Sequence, residues 1–466
     1  MSLFSILHSG STALSAQGRS LQTSANNVAN AETPGYTRQR AELSTRRPLN
    51  RSGLLLGQGV RASTISASYD SFAQRRVVSG LGRDGFAGAQ ASSMRGIETA
   101  LGEGENGGIG QRLSELFDAF EMIESDPVSP GRRLDVLSKA EQFSSAVRRG
   151  ADFLQTKQSE SDDLVSSLVD EANLLAQEIA GLNANIRNLE AGDDFANDLR
   201  VQRMTAVEAL SAIGPTRFAD RPDGGLSVLF GGHTLVEGSE ARALSAVVNP
   251  TTNLSEVHIS QGTTTFDITS SVGTGGKLGA TIFTRDVTTQ NMIDQLDDLA
   301  FSVATQVNAV HQAGFDLNGA TGADFFAPPA VAAGAASTLV VDAGMVGNTD
   351  GIAASGSLAT IPGGNTNIAA IAALSSSLTM TGGTRTFSDF YAEFVSTLGA
   401  EASSAYREEL GAATELSVSF DARDAVTAVS LEEEAIDLIR FQEAYQAAAR
   451  VISTTNGLFD DLMSIV

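Results

Sequence analysis

The 466 residues include no cysteine and no tryptophan. Without cysteine there is no disulfide framework and no thiolate metal site, and an unfolded chain crossing between compartments cannot form wrong bridges. No apolar run is long enough to span a bilayer, so no membrane insertion is expected. The opening residues, Met1 to His8, lack the basic start and continuous apolar stretch of a secretory signal. Export, if it occurs, is therefore expected by another route. Cations are scarce: 31 Lys and Arg against 55 Asp and Glu leave a net charge of −24. That balance argues against nucleic acid, whose phosphates need clustered cations, and against anionic membrane surfaces. It also keeps a chain soluble before assembly.

What the chain has is periodicity at both ends. Leu7, Leu14, Leu21 and Val28 fall every seventh residue. Leu431, Leu438, Tyr445, Ile452, Phe459 and Val466 do the same, with Phe441, Ala448, Thr455 and Leu462 in the second seam position. A seven-residue repeat keeps one helical stripe facing a partner helix. Heptads also pack helices inside their own chain, and that is the expectation for the internal set Leu168, Leu175, Leu182 and Leu189 with Ala172, Ile179 and Ile186. The N-terminal seam includes Gly10, Gln17 and Ser24 and makes a poor self-sufficient core. Packing between subunits is the expectation for the termini.

A length of 466 residues is a soft prior for two to four domains, and 42% hydrophobic content suffices for packed cores. Residues 1–68 read as an N-terminal amphipathic helix, interrupted by Gly10 and Gly18 and ended by Thr33-Pro34-Gly35, followed by short extended segments. Residues 69–215 read as helical, with a turn at 191–194 joining two antiparallel neighbours. Residues 216–280 shift to Gly, Thr, Ser and Val, with runs such as Leu226–Phe230 that predict a small inserted all-β domain projecting outward. Residues 281–387 hold a returning helix and an Ala/Gly-rich connection of short elements, and residues 388–466 close the chain as helix. About forty residues of helix reach about 60 Å. The fold class is α+β and multidomain: an elongated helical bundle with a coiled-coil core built from both termini, carrying a small β insertion.

Catalytic and ligand motifs are weak. The Gly102, Gly104, Gly107 pattern of a dinucleotide loop follows a helix where a strand is needed, and Glu103 and Glu105 would repel phosphate. Asp316, Asn318 and Gly319, with Asp324, read as a turn or a weak cation site, short of a full calcium loop. His8, His233, His258 and His311 are scattered and form no ligand pair in sequence. Glu432, Glu433 and Glu434 read as a solvated first turn suited to a helix N-terminus. No catalytic residue, cofactor or metal is expected.

Two segments carry a resemblance. Ser24-Ala-Asn26-Asn27-Val-Ala-Asn30, followed by Gly35-Tyr36-Thr-Arg38-Gln39, resembles the N-terminal signature of bacterial flagellar rod, hook and hook-associated proteins. Phe441-Gln442 through Tyr445-Gln446 to Arg450-Val451-Ile452 is similar to their C-terminal signature. Within that superfamily, His311 to Gly319 with Asp324-Phe325-Phe326, Val429 to Glu433, and Thr455 to Asp460 resemble the FlgK family. Two departures stand out. The family's Asp-Gln-Arg-Asp run is here Val201-Gln202-Arg203-Met204, and the chain after Phe326 is too short and too poor in strand signal for a second outer β domain.

The resemblance implies a non-enzymatic junction protein of the flagellum, extracellular and exported through the flagellar type III apparatus without a cleaved signal. Its implied partners are further copies of itself, the hook protein, the second hook-associated protein, and an export chaperone on the C-terminal helix. The terminal helices would be disordered in the free subunit and pair on assembly. Asn26, Asn27 and Asn30 would satisfy backbone groups at the helix end, and Tyr36 would anchor the next turn through its ring and hydroxyl. The alternatives are another flagellar axial protein, namely the hook subunit or second hook-associated protein, or a secreted acidic coiled-coil adhesin or hydrolase.

Overall fold

The computed structural model describes residues 3–33, 35–51, 54–101, 108–191 and 196–465. The glycine run 102–107, Pro34, the turn at 192–194 and Val466 lie outside the described residues. The N-terminal helix α1 spans Leu3–Ala29 without a break. Gly10 and Gly18 do not interrupt it, because their missing side chains are filled by a neighbouring helix. An arm follows. Strands β1 (Gln39–Thr45) and β4 (Val60–Ala67) pair antiparallel with an irregularity at Glu42/Leu43, and β2 (Leu49–Arg51) and β3 (Leu54–Leu56) form a short hairpin between them.

Helix α2 (Ser71–Leu101) starts where Asp70 accepts the Phe72 and Ala73 amides at 2.8 and 3.2 Å, satisfying donors that a helix start leaves free. Then come α3 (Ile109–Ser125), α4 (Pro130–Glu190) and α5 (Asn197–Ile213). Pro130 suits the first turn of α4, whose 61 residues extend about 90 Å. In α4, Leu168, Leu182, Ala172, Ile179 and Ile186 are buried, Leu175 is half-buried and Leu189 is exposed.

Strands β5 (Thr216–Asp220), β6 (Leu226–Phe230), β7 (His233–Glu237) and β8 (Glu240–Ala241) form one antiparallel meander. Strands β9 (Leu244–Val248), β10 (Ser255–Gln261) and β11 (Thr264–Asp267) form a second sheet with β10 central. Helix returns earlier than the sequence predicts. After α6 (Thr269–Val272), α7 (Gly276–Phe283) buries Leu278, Ala280 and Ile282, and a π-helical turn leads into α8 (Gln290–Ala313). The glycine- and threonine-rich composition there masks a helix held by its packing on α2.

Two apolar cores follow, and α4 runs through both. Its first half, Val136 to Leu154, packs with α2, α3 and α8. Its second half, Val165 to Ala180, shares a core with α5, α7 and the buried faces of the strands, including Val228, Phe230 and Val257. The strands therefore lie on the helices and do not stand out as a separate body: each sheet has one apolar face, which packs on α4, with α5 and α2 against β5 of the first sheet. At the seam, buried Arg285 bonds Asp162 at 2.5 Å and the Ser255 carbonyl at 2.9 Å, tying β10 to α4.

Residues 314–386 contain α9 (Ala335–Thr338), α10 (Thr366–Ala372), short 3-10 turns and isolated bridges. Phe325, Phe326, Ile352, Ile368 and Ile371 pin this segment into the first core. Buried Arg133 of α4 gathers its loops by donating to the carbonyls of Pro127, Thr349 and Ile352 at 2.6 to 2.9 Å. Helix α11 (Phe387–Thr427) is capped by Thr386, whose Oγ1 accepts the Asp389 amide at 3.1 Å. The helix is interrupted at 428–430 and resumes as α12 (Leu431–Ile465). Of these two, α11 packs on α2 and α12 packs on α1.

Candidate assembly site

The two termini meet as an antiparallel helix pair within one chain. Phe4 of α1 lies edge-on to Phe459 of α12 at 4.9 Å between ring centroids. A Cβ built on Gly10 would sit 3.0 Å from Ile452 Cγ1, and one on Gly18 would lie 3.8 Å from a Tyr445 ring carbon. The glycines are seats for larger side chains of α12. Leu7, Leu14 and Leu21 share this face at three- and four-residue spacing from Gly10 and Gly18 and are half-buried. On α12, Leu438, Phe441, Ile452 and Phe459 are half-buried, and Ala448 and Thr455 are buried. The ends of the seam are open, with Val28, Leu431 and Leu462 exposed; at its middle Tyr445 is at the edge of exposure, and Gln442 faces solvent.

A second face of α1 escapes a reading based on apolar heptads. Thr12, Ala16, Ser20, Thr23 and Asn27 are all buried. They recur at three- and four-residue spacing, which lines one side of a helix, and α1 packs there against β1 and β4. Thr12, Ser20 and Thr23 return their hydroxyl protons to carbonyls of the preceding turn, so small polar groups are buried without loss of a partner. That spacing of small residues was the available signal.

Asn27 closes the turn. Its Nδ2 donates to the Gln39 carbonyl at 2.7 Å, its Oδ1 accepts the Gln39 amide at 3.0 Å, and the same oxygen accepts the Tyr36 hydroxyl at 3.0 Å. One side chain thus makes the paired bonds of a neighbouring strand. Burial first, then the nearby Asp198 and Glu434 carboxylates, push the Tyr36 hydroxyl up to about 12. Asn30 caps back onto the Asn26 carbonyl at 3.0 Å and also reaches its side-chain oxygen at 3.1 Å. Gly35 is exposed with φ +76°, a region that side chains rarely enter.

The sequence reading of Glu432–Glu434 as solvated fails at Glu434, which is 1% exposed. Arg38 donates its Nε to Glu434 at 2.7 Å, its Nη1 to Glu433 at 2.5 Å, and lies 3.5 Å from Asp437. Its backbone amide also bonds the Thr427 carbonyl at 2.8 Å. Burial alone would lower the guanidinium pKa, but the Glu434 and Glu433 bonds outweigh it and raise it. Arg38 therefore fixes the kink between α11 and α12. Gln39 reaches Asp198 of α5 at 3.3 Å, and Asn197 bonds the Ile65 carbonyl at 2.9 Å, joining arm to helical body.

Beside this joint is a cavity of about 600 Å³, bordered by Tyr36, Val201, Met204, Arg423 and Val429. The substituted run thus contributes Val201 and Met204 to the cavity wall. Arg203 stays buried, donating to Asn183 Oδ1 at 2.8 Å and to the Gly224 carbonyl at 3.0 Å. His311 is also buried, with Nδ1 bonded to the Ala323 carbonyl at 2.6 Å and Nε2 accepting the Ala353 amide at 3.0 Å. Asp316 accepts the Asn318 and Ala320 amides of its own turn at 2.9 and 2.7 Å. Among the described residues, one group of possible metal ligands does converge: Glu256, His258 and Asp267, with ligand atoms within 4.8 Å of one another. Each already has a partner, Asn249 for Glu256, Glu256 for His258 and Thr269 for Asp267. Strand pairing of β10 with β11 brings them together.

The chain matches the family model described as the flagellar hook-associated protein FlgK helical domain over residues 94–326. The chain belongs to the FlgK family. Its termini match two further models, flagella basal body rod protein over 7–37 and flagellar basal body rod FlgEFG protein C-terminal over 426–465. These terminal matches span the Asn27 turn and the α1–α12 pair. The flagellar hook-associated protein 1 of Bacillus subtilis (strain 168) is 26% identical, aligning 99% of this chain with 98% of its own. That of Escherichia coli (strain K12) is 23% identical over 99% and 100%. The solved structure of the flagellar hook junction protein FlgK from Burkholderia pseudomallei covers 76% of this chain and 100% of its own, with a TM-score of 0.68 at 16% identity. That likeness places the FlgK-family chain in the same elongated α+β fold.

Proposed function

We propose that this FlgK-family chain is a structural junction protein of the bacterial flagellum, polymerising between hook and filament and needed for filament growth. The observation that carries the reading is the surface left on the terminal pair. With α1 and α12 docked together, Phe4 is still 70% exposed, Ile436 65%, Ile439 59% and Met463 76%. Large apolar side chains in such density on a monomer mark a surface that neighbours cover. Contacts of this kind are heterologous, so they propagate as a ring or helix. The seam ends Val28, Leu431 and Leu462, and Tyr445 at its middle, belong to the proposed interface, and the half-buried seam residues hold the pair that presents it.

Its partners in this reading are further copies of itself, the hook protein and the second hook-associated protein. Before export, a chaperone would mask the apolar side of α12 as an amphipathic helix in a groove. In this reading the chain leaves the cell through the flagellar type III apparatus. No catalytic step is assigned to it. The test is deletion of the gene, with electron microscopy and assay of the culture medium for flagellin. Intact hooks without filaments, and flagellin lost to the medium, are expected. Normal filaments on normal hooks would overturn the reading.

A further inference from the structure

Charge is segregated in this chain to a degree that its net value hides. Between Arg38 and Arg61 there are six arginines and a single acid, Glu42, although the whole chain carries −24. Arg40, Arg46, Arg47 and Arg61 are exposed on the β arm, and among the described residues none of them has an ion pair. Exposed Leu43 and Leu49 lie among them.

The complement is on α4. Residues 158–186 contain six acids and no lysine or arginine. Asp163, Asp170, Glu171 and Glu178 are exposed; Asp163 and Asp170, and Glu171 and Glu178, are each seven residues apart, which sets them along one helical face. None of the four has an ion pair among the described residues. Leu164 and Leu174 are exposed on the same stripe, at 47% and 67%. From Asp163 to Glu178 the stripe is about 22 Å long at helical rise. From Arg40 to Arg47 the arm is about 23 Å at strand rise. The arm carries Arg40, Arg46 and Arg47 around Leu43 and Leu49 with one exposed acid, Glu42, and the stripe carries acids alone around Leu164 and Leu174, over matching lengths.

We propose that the basic arm of one copy docks on the acidic stripe of α4 in a neighbouring copy. Among the described residues the two surfaces make no ion pair with each other, so both are left for solvent or a second subunit. The inference rests on the reading that copies of this chain assemble side by side. Each exposed ion pair contributes little by itself, but complementary rows fix register and exclude wrong neighbours. Contact between subunits would then have two parts: an apolar one at the terminal helices and an electrostatic one that sets the angle between successive copies. The second part weakens with salt over the range that shortens the Debye length below about 10 Å.

The absence of cysteine makes the test clean. Leu43→Cys and Leu174→Cys are introduced together, and hooks with their junctions are isolated and treated with a short bismaleimide. A ladder of covalent multimers is expected for the double variant, and not for either single one. Adding Arg46→Glu and Arg47→Glu is expected to cut the ladder at least tenfold, adding Asp170→Arg and Glu171→Arg as well to restore it, and Arg46→Lys with Arg47→Lys to leave it unchanged. Incorporation of the double variant at hook tips without a ladder overturns this inference and leaves the junction reading standing. A Leu43→Cys variant cross-linked to a different protein overturns it too. Absence of the unmodified chain from hook tips overturns the junction reading, and this inference with it.

Discussion

Arg38 and Glu434 are 396 positions apart in sequence, yet the arginine Nε donates to the glutamate Oε1 at 2.7 Å across the base of the terminal helix pair. The Glu434 side chain is 2% exposed and that of Arg38 14%. A carboxylate this deep is tolerated because a planar guanidinium reaches it with directed donors. Removing Arg38 leaves Glu434 buried without its counter-charge. Arg38→Ala is expected to weaken the docking of α12 by about 3 kcal/mol, the scale for a broken buried pair. Hydrogen exchange should quicken at 431–441 while the core around Phe120 and Phe143 stays protected. Unchanged exchange at the start of α12 would show that the pair holds nothing.

Asn27 is the other fixed point, because its amide satisfies both backbone groups of Gln39 and the Tyr36 hydroxyl. Asn27→Ala strands these groups in a buried place, at a cost of about 1–3 kcal/mol. Asn27→Asp keeps the acceptor and loses the Nδ2 donor, so its effect should be comparable or larger. The amide exchange rate of Gln39 and swarming motility would both report the loss.

At Gly10 two effects compete. Alanine gains about 1 kcal/mol of helix propensity, but its Cβ would meet Ile452 Cγ1 at 3.0 Å. That neighbour is the methylene next to a branched Cβ and must give by a few tenths of an ångström against a stiff χ1, which offsets the propensity gain, so Gly10→Ala should be nearly neutral in thermal melting. Gly10→Leu cannot be seated and should part the helices and block filament growth. Ile452→Ala in the same chain should relieve part of the defect, as residues in contact are not additive. A Gly10→Leu strain with normal filaments would sink the close-approach argument.

Burial pushes the His311 imidazole below its ordinary 6.5, with the Ala323 carbonyl and Asp324 pulling weakly the other way. The unfolded chain therefore takes up a proton near 6.5 before the folded chain does. Stability from the neutral, buried ring is complete above about pH 7 and is lost as pH falls through 6.5 towards the lower folded value, with a slope of at most about 1.4 kcal/mol per pH unit. Denaturant melts at pH 7, 6 and 5 should show this fall. His311→Gln should be less stable at pH 7 and lack that part of the slope, and an identical slope in both chains would assign it to other groups.

Much of the fold was legible because it is written in local period. The terminal heptads, the long α4 and the alternation of Leu226, Val228 and Phe230 each follow from spacing that the backbone imposes within a few residues. The α7 helix was not legible, because Gly276–Phe283 is held by what it packs against and its composition matches the strands before it. The stripe Thr12, Ala16, Ser20, Thr23, Asn27 was visible as spacing, but small polar residues carry no apolar signal to mark the face as buried. Glu434 was misread because an acid in a first helical turn is favourable in solvent as well.

The sequence by itself determined that both ends are helices with a paired stripe, that no disulfide can form, and which segments resemble flagellar axial proteins. Only the tertiary structure decided which helix each stripe meets, that Gly10 and Gly18 are seats and not breaks, and that Arg38 meets Glu434. Period is fixed by bonds between near neighbours, so a string of residues records it. A contact between positions 38 and 434 exists only after loops are closed and cores packed, and no local pattern encodes that outcome.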